Sequence, residues 1–242
     1  MLNKILALFR KPQPAKVSKK PPSAAASKSR RKVEAGRIGE LGEHKINIQL
    51  DQLPKDCKSL SDLMVKNPKS RTGYSQIDHL VITPYALFVI ETKNYNGEIK
   101  GGRSDKQWSV SNRFKMYNPL MQNYGHIKAV ENLLADETNL RFVSLVSFTM
   151  RCRFSIDPEL RKIHSDELIV YDTELSEFIS RKLIRLKTEK PEPLFNPETI
   201  QKIYDELKQA NITDPAIRQQ HIDSIKTTKS SASSGHGQKT SS

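Results

Sequence analysis

The stretch QIDHLVITPYALFVIETKN, Gln76 to Asn94, constrains this chain more than any other. Two apolar runs, Leu80–Ile82 and Leu87–Ile90, flank Thr83-Pro84-Tyr85-Ala86. Short apolar runs on either side of a proline read as two strands of one hairpin. With Pro84-Tyr85 at its centre, antiparallel pairing sets Ile82 against Leu87, Leu80 against Val89 and Asp78 against Glu91. Strand alternation then puts Asp78, Leu80, Ile82, Leu87, Val89, Glu91 and Lys93 on one face. Val81, Phe88 and Ile90 fall on the other. Both faces are apolar, so the hairpin belongs in the middle of a sheet, and its open end carries two acids and a lysine.

Opposed strand residues bring their Cβ atoms to about 4.5–5.5 Å. Two carboxylates held so close cannot both be buried and ionised without a compensating cation. Hard oxygen donors favour Mg2+ or Mn2+. Lys93, on the same face, is suited to hold an attacking water or to stabilise charge on a phosphoryl oxygen. Together these groups suit phosphodiester hydrolysis. The spacing alone fits equally well a lysine–carboxylate pair that solvates a strand end and does nothing more.

Around the hairpin the pattern alternates between helix and strand. A helix is expected from about Val33 to Ile48, with Ile38, Leu41 and Ile46 on its apolar stripe and the weak helix formers Gly36, Gly39 and Gly42 within it. Residues 51–72 read as loop or short helix. Glu98–Lys100 and Gln107–Val110 are short strands about a Gly101-Gly102 turn. Arg141–Phe148 and Leu168–Tyr171 are further strands. Asn118-Pro119 and Asn196-Pro197 each start a helix, with Asn as cap and Pro at the first position. Another helix is expected at 173–186, and a weaker one after Asp214-Pro215.

Five words carry a resemblance: GELGEHKI (Gly39–Ile46), QIDHLVI (Gln76–Ile82), LFVIETKNYNGEIKG (Leu87–Gly101), the single Trp108, and NPLMQNYGH (Asn118–His126). In this order, over roughly residues 34–150, the chain resembles the nuclease-related domain (NERD) family of the PD-(D/E)xK, restriction endonuclease-like nucleases. The resemblance implies an α/β fold, a three-layer sandwich with a mixed central sheet flanked by helices. It implies a metal-dependent nuclease acting on nucleic acid, DNA first, with Mg2+ or Mn2+. Asp78 and Glu91 would ligate the metal, the Thr92 carbonyl would add a third oxygen, and Lys93 would position the nucleophile. Glu43 would come from the preceding helix, with Glu40 as second choice, and Gln122 would lie near the site. His126 reads as a surface or partly buried histidine and His79 as structural. The family often has Gly where this chain has Ala86. The alternative is a non-catalytic module that keeps the fold for binding DNA or protein.

Charge divides the chain. Residues 1–33 hold ten Lys and Arg and no acid, whereas residues 34–222 hold 27 bases against 26 acids. Bulk basicity therefore sits in the N-terminal segment, which offers polyanion binding. Its greasy start, Leu2, Ile5, Leu6, Leu8 and Phe9, adds docking on an anionic membrane surface. The expected organisation is a disordered basic segment (1–33), the nuclease-like domain (34–186), a helical extension (187–225) and a disordered tail (226–242). Cys57 and Cys152 form no metal or redox motif, which fits a reducing, cytoplasmic compartment. No apolar run approaches the roughly 20 residues of a membrane span. Phosphate-loop and His-Glu-x-x-His patterns are missing from the sequence.

Overall fold

The computed structural model describes residues 45–234. The strands in chain order are β1 (Lys58–Lys66), β2 (Tyr74–Ile82), β3 (Leu87–Lys93), β4 (Gly97–Gly101), β5 (Gln107–Val110), β6 (Phe114–Tyr117), β7 (Phe142–Phe148), β8 (Cys152–Ile156) and β9 (Glu167–Tyr171). The helices are α1 (residues 45–50), α2 (Pro119–Leu133), α3 (Leu175–Glu189), α4 (Pro197–Ala210) and α5 (Pro215–Ser234). A five-stranded sheet runs β1-β2-β3-β7-β9, and a four-stranded sheet runs β6-β5-β4-β8. The large sheet is mixed: β1, β2 and β3 are antiparallel neighbours, while β3, β7 and β9 are parallel.

The hairpin is central, and its register is the expected one, with Ile82 opposite Leu87 and Leu80 opposite Val89. Seven side chains, Leu80, Val81, Ile82, Leu87, Phe88, Val89 and Ile90, are fully buried. Each contributes about 1.5–3 kcal/mol on burial, enough to hold the polar open end wherever the sheet puts it. Leu80, Ile82, Leu87 and Val89 pack with Ala129 and Val130 of α2 and Ile200, Ile203 and Leu207 of α4. Val81, Phe88 and Ile90 pack on the opposite layer with Ile46, Leu50, Leu175 and Ile179. The result is a three-layer α/β sandwich. The turn closes through Thr83, whose Oγ1 donates to the Ala86 carbonyl at 2.6 Å and accepts from the Ala86 amide at 3.0 Å. Ala86 is not among the left-handed residues, so alanine meets no strain there.

The small sheet continues the large one past the ends of β3 and β7. β4 pairs parallel with β8 just as β3 pairs parallel with β7. At the seam the Thr149 amide donates to the Lys93 carbonyl and the Gly97 amide to the Arg151 carbonyl, both at 3.1 Å. The inner face of the small sheet, Ile99, Trp108, Val110 and Met116, packs on Val146, Phe148 and Ile169. Trp108 explains Gly101: a Cβ there would lie 2.3 Å from the indole ring.

Residues 51–72 are loop and turn on either side of a strand that the sequence did not announce, β1, at Lys58–Lys66. Its alternation is disguised. The ladder with β2 passes from Ser61–His79 to Leu63–Ile77, leaving Asp62 and Asp78 outside it. Asp62 has φ 53°, and Leu63 and Ile77 join the same core cluster as Leu80. One left-handed residue thus shifts the face pattern mid-strand. Two more strands escaped the pattern, β6 and β8, both at edges of the small sheet. α5 continues through Ser234, beyond the boundary drawn at 226.

Candidate functional site

The open end of the hairpin collects the expected groups. β2–β3 pairing ends at His79–Ile90, one step short of Asp78 and Glu91. Freed from both neighbouring ladders, Asp78 turns to Thr92: its Oδ2 accepts from the Thr92 amide at 2.7 Å and from Thr92 Oγ1 at 2.6 Å. Burial first, then the Glu91 charge, push the Asp78 carboxyl above its ordinary pKa, and the Thr92 bonds and Lys93 offset only part of this.

Glu91 is 4% exposed. Its Oε1 takes Lys93 Nζ at 2.5 Å and Gln122 Nε2 at 2.8 Å. Lys93 Nζ also donates to Gln122 Oε1 at 2.9 Å, so Glu91, Lys93 and Gln122 form a closed triangle. Burial works to raise the Glu91 carboxyl, but His126 and Lys93 beside it prevail and hold it below the ordinary range. Glu91 Oε2 has no hydrogen-bonding partner among the described residues. His126 Nε2 approaches it to 3.2 Å, off line for a hydrogen bond.

α2 supplies Gln122 and His126 because of how it starts. Asn118 caps it, accepting from the Leu120 amide at 2.9 Å. The same side chain donates to the carbonyls of Arg103 and Asp105, at 3.0 and 2.7 Å, tying the helix to the loop after β4. Asn123, fully buried, donates to the Val89 carbonyl at 2.8 Å and to Ser144 Oγ at 2.9 Å. Residues one turn apart on a helix share a face, so anchoring the helix at Asn118 and Asn123 presents Gln122 and His126 to Glu91.

Asp78, Glu91, Thr92, Lys93 and Gln122 thus meet at one end of the sheet. Glu43 and Glu40 lie outside the described residues. His126, read from sequence as a surface or partly buried histidine, is corrected: it is buried against Glu91. Its four-residue spacing from Gln122 was the available signal. His79 faces away, with Nδ1 2.8 Å from Ser61 Oγ, and burial lowers its pKa to about 4.

Asp78 and Glu91 are oxygen donors on neighbouring strands, and Glu91 keeps a buried oxygen without a hydrogen bond. That donor chemistry fits a hard divalent cation. No cluster of three or more His, Cys, Asp and Glu with metal-holding geometry occurs among the described residues. A complete ligand set therefore needs oxygens beyond these side chains, such as the Thr92 carbonyl, water or Glu43.

A mixed sheet with Asp78 on one central strand, Glu91-Thr92-Lys93 on the next and Gln122 on the covering helix defines a restriction endonuclease-like core. The chain belongs to the nuclease-related domain (NERD) family, whose model matches residues 38–149. It is similar to an uncharacterized protein of Bacillus anthracis, 33% identical over 189 residues, which cover 76% of this chain and 82% of that one. No solved structure gives a significant match. No helix among the described residues is long and apolar enough to cross a membrane.

Proposed function

We propose that the protein is a divalent-metal-dependent nuclease that hydrolyses phosphodiester bonds of nucleic acid, with DNA the first substrate to test. The observation that carries this reading is the Glu91–Lys93–Gln122 triangle beside Asp78, a lysine ammonium fixed between a buried carboxylate and an amide. Asp78, Glu91 and the Thr92 carbonyl would hold Mg2+ or Mn2+, with Glu43 as a further donor. The cation would polarise the scissile phosphate and lower the pKa of a bound water. Lys93 holds its ammonium where an attacking water or a phosphoryl oxygen can accept from it. Gln122 fixes the lysine's direction, and His126 sets the second oxygen of Glu91. Residues 34–186 form the nuclease domain in this reading, residues 187–225 a helical extension, and residues 1–33 a basic arm for DNA or an anionic membrane surface.

The test is purified protein with labelled single- and double-stranded DNA and RNA, with Mn2+, Mg2+ or EDTA. Cleavage that requires metal and is lost in Lys93→Ala supports the reading. No cleavage of any substrate by the wild-type protein favours the non-catalytic binding module instead.

A further inference from the structure

Asp78 leaves both of its ladders, and the two departures differ. On the β3 side the pairing simply ends at His79–Ile90. On the β1 side it breaks and resumes: Ser61 pairs with His79 and Leu63 with Ile77, so the gap is the facing pair Asp62 and Asp78. Asp62 has φ 53° there, in the left-handed region. A non-glycine residue within a strand rarely holds that conformation unless its surroundings enforce it. Whatever enforces it at Asp62 also keeps the ladder open at Asp78.

Gln76 and Arg218 hold Asp62. Gln76 Nε2 donates to its Oδ1 at 2.8 Å. Arg218, on α5 and 156 positions along the chain, sets Nη1 at 2.5 Å from Oδ2 and donates from Nη2 to the Asp62 carbonyl at 2.9 Å. As a charge pair alone this contact would do little, because the Asp62 side chain is 61% exposed and water screens it. A guanidinium fork that takes both the carboxylate and the backbone carbonyl of one residue does more: it fixes the side chain and the peptide plane together.

The fork is itself anchored. Arg218 Nε donates to the Ile212 carbonyl at 2.7 Å, and Nη2 to Asn211 Oδ1 at 3.2 Å. Asn211 and Ile212 are fastened in turn to Met64, two residues past Asp62. The Met64 amide donates to Asn211 Oδ1 at 2.9 Å, and the Ile212 amide donates to the Met64 carbonyl at 2.8 Å. β1 is an edge strand of the large sheet, so these bonds run along its outer edge. One turn past Arg218, His221 is buried edge-on against Tyr74, the first residue of β2, with ring centroids 6.2 Å apart. α5 is thus seated on both of the strands that face each other at the break.

We propose that Arg218 is a positioning residue for Asp78. By clamping Asp62 in its left-handed conformation, it keeps the β1–β2 ladder open at Asp78 and leaves that carboxylate free to reach Thr92. The role of Asp78 as a metal ligand rests on the nuclease reading, whereas its placement by Arg218 does not. The helical extension then belongs to the machinery of the site, although the family match ends at residue 149.

The experiment reads the Thr92 amide, which donates to Asp78 Oδ2 at 2.7 Å, by hydrogen exchange followed by NMR on the metal-free full chain. In Arg218→Ala this amide should exchange about tenfold faster or more, while amides of the β7–β9 ladder, away from the break, change less than about twofold. Asp62→Gly separates a clamp from a staple. Glycine adopts a positive φ without strain, so Asp62→Gly combined with Arg218→Ala should return Thr92 exchange to within about threefold of wild type. Asp62→Val, with Arg218 intact, should speed Thr92 as Arg218→Ala does, since a β-branched residue resists the left-handed region. Arg218→Lys keeps the charge and loses the fork, so it should speed Thr92 by about threefold or more, and it replaces Arg218→Ala if that variant does not fold. Unchanged Thr92 exchange in the Arg218 variants overturns the proposal. So does a uniform speeding of all amides that Asp62→Gly does not reverse, the result expected of a helix that only staples the fold. Calorimetric titration with Mn2+ is a separate arm. Wild-type protein that binds no Mn2+ counts against the nuclease reading and leaves the Thr92 comparison standing.

Discussion

Gln122 on α2 and Glu91 on β3 are joined by a 2.8 Å hydrogen bond from Nε2 to Oε1, so a helix and a strand fix one side-chain geometry together. Through its Oε1 the same amide accepts from Lys93. Replacing Gln122 with Leu removes both contacts while keeping most of the volume. Gln122 is only partly buried, so the melting temperature should change by no more than a few degrees. The turnover rate should fall on the order of 10- to 100-fold, with substrate KM nearly unchanged, as for a group that orients the reacting lysine. Steady-state kinetics beside thermal melts check this, and a variant with wild-type kcat removes Gln122 from the site.

Asp78 and Lys93 should fail in different ways. Asp78→Ala removes a proposed metal ligand, so calorimetric titration should show weakened Mn2+ binding along with lost cleavage. Lys93→Ala should retain Mn2+ binding and lose the chemical step. Asp78→Ala should fold, because Asp78 is held against its electrostatic preference by burial and by Glu91, and Lys93→Ala should fold less stably, because Glu91 loses its ammonium partner and keeps Gln122 and His126. Full activity in either variant would sink the assignment.

His79 should make stability depend on pH. Burial lowers its folded pKa from 6.5 to about 4, so the folded state holds the neutral ring. Between those values the unfolded chain binds the extra proton, and stability rises with pH. The contribution is full above 6.5 and is lost as pH falls from 6.5 to about 4, by up to about 3 kcal/mol. Denaturant melts of wild type and His79→Asn across that window should show a shallower pH slope in the variant.

Lys182 is a buried cation with a structural task. It is fully buried on α3 and donates to the carbonyls of Ile163, His164 and Ser165, with Asp166 Oδ1 at 2.7 Å. Lys182→Met keeps the stem and leaves three carbonyls without their donor. Acceptors left without their donor cost about 1–3 kcal/mol. The melting temperature should drop by several degrees, as thermal melts of the two proteins would show.

The hairpin was legible because a period-two apolar pattern buried on both faces admits one register, and Thr83-Pro84 marks its turn. Asn118-Pro119 likewise announced α2 through cap chemistry that is local. β1 was illegible for the converse reason: Asp62 takes a left-handed backbone, and its ion pair with Arg218, 2.5 Å between Oδ2 and Nη1, comes from far along the chain. The role of His126 was hidden because a helix face has no meaning until the helix is placed, and here Asn123 places it. Exposure of Phe114 and Tyr117 was equally invisible. A short strand containing Phe and Tyr reads as core until the fold shows it at the edge of the small sheet.

The basic arm and the small sheet should separate by salt and by lipid. Residues 1–33 carry ten positive charges and lie outside the described residues. Their removal should weaken polyanion binding and flatten its salt dependence, since fewer counterions are released. Cleavage at saturating substrate should be nearly unchanged, because no proposed site residue lies in that segment. A neutral body would then bind nucleic acid hardly at all, but the small sheet, with seven Lys and Arg against two acids over residues 95–117 and 149–156, makes the body uneven, so a residual salt slope should survive and fall on adding Lys100→Ala and Lys115→Ala. Replacing Leu2, Ile5, Leu6, Leu8 and Phe9 with Ser tests the membrane role. Binding to anionic vesicles should fall while DNA binding is spared, because apolar insertion serves lipid and not phosphate. Vesicle sedimentation and DNA anisotropy on the same proteins measure both. Equal binding of vesicles by the Ser variant would remove the greasy tip from the docking role and leave the arm as a purely electrostatic device.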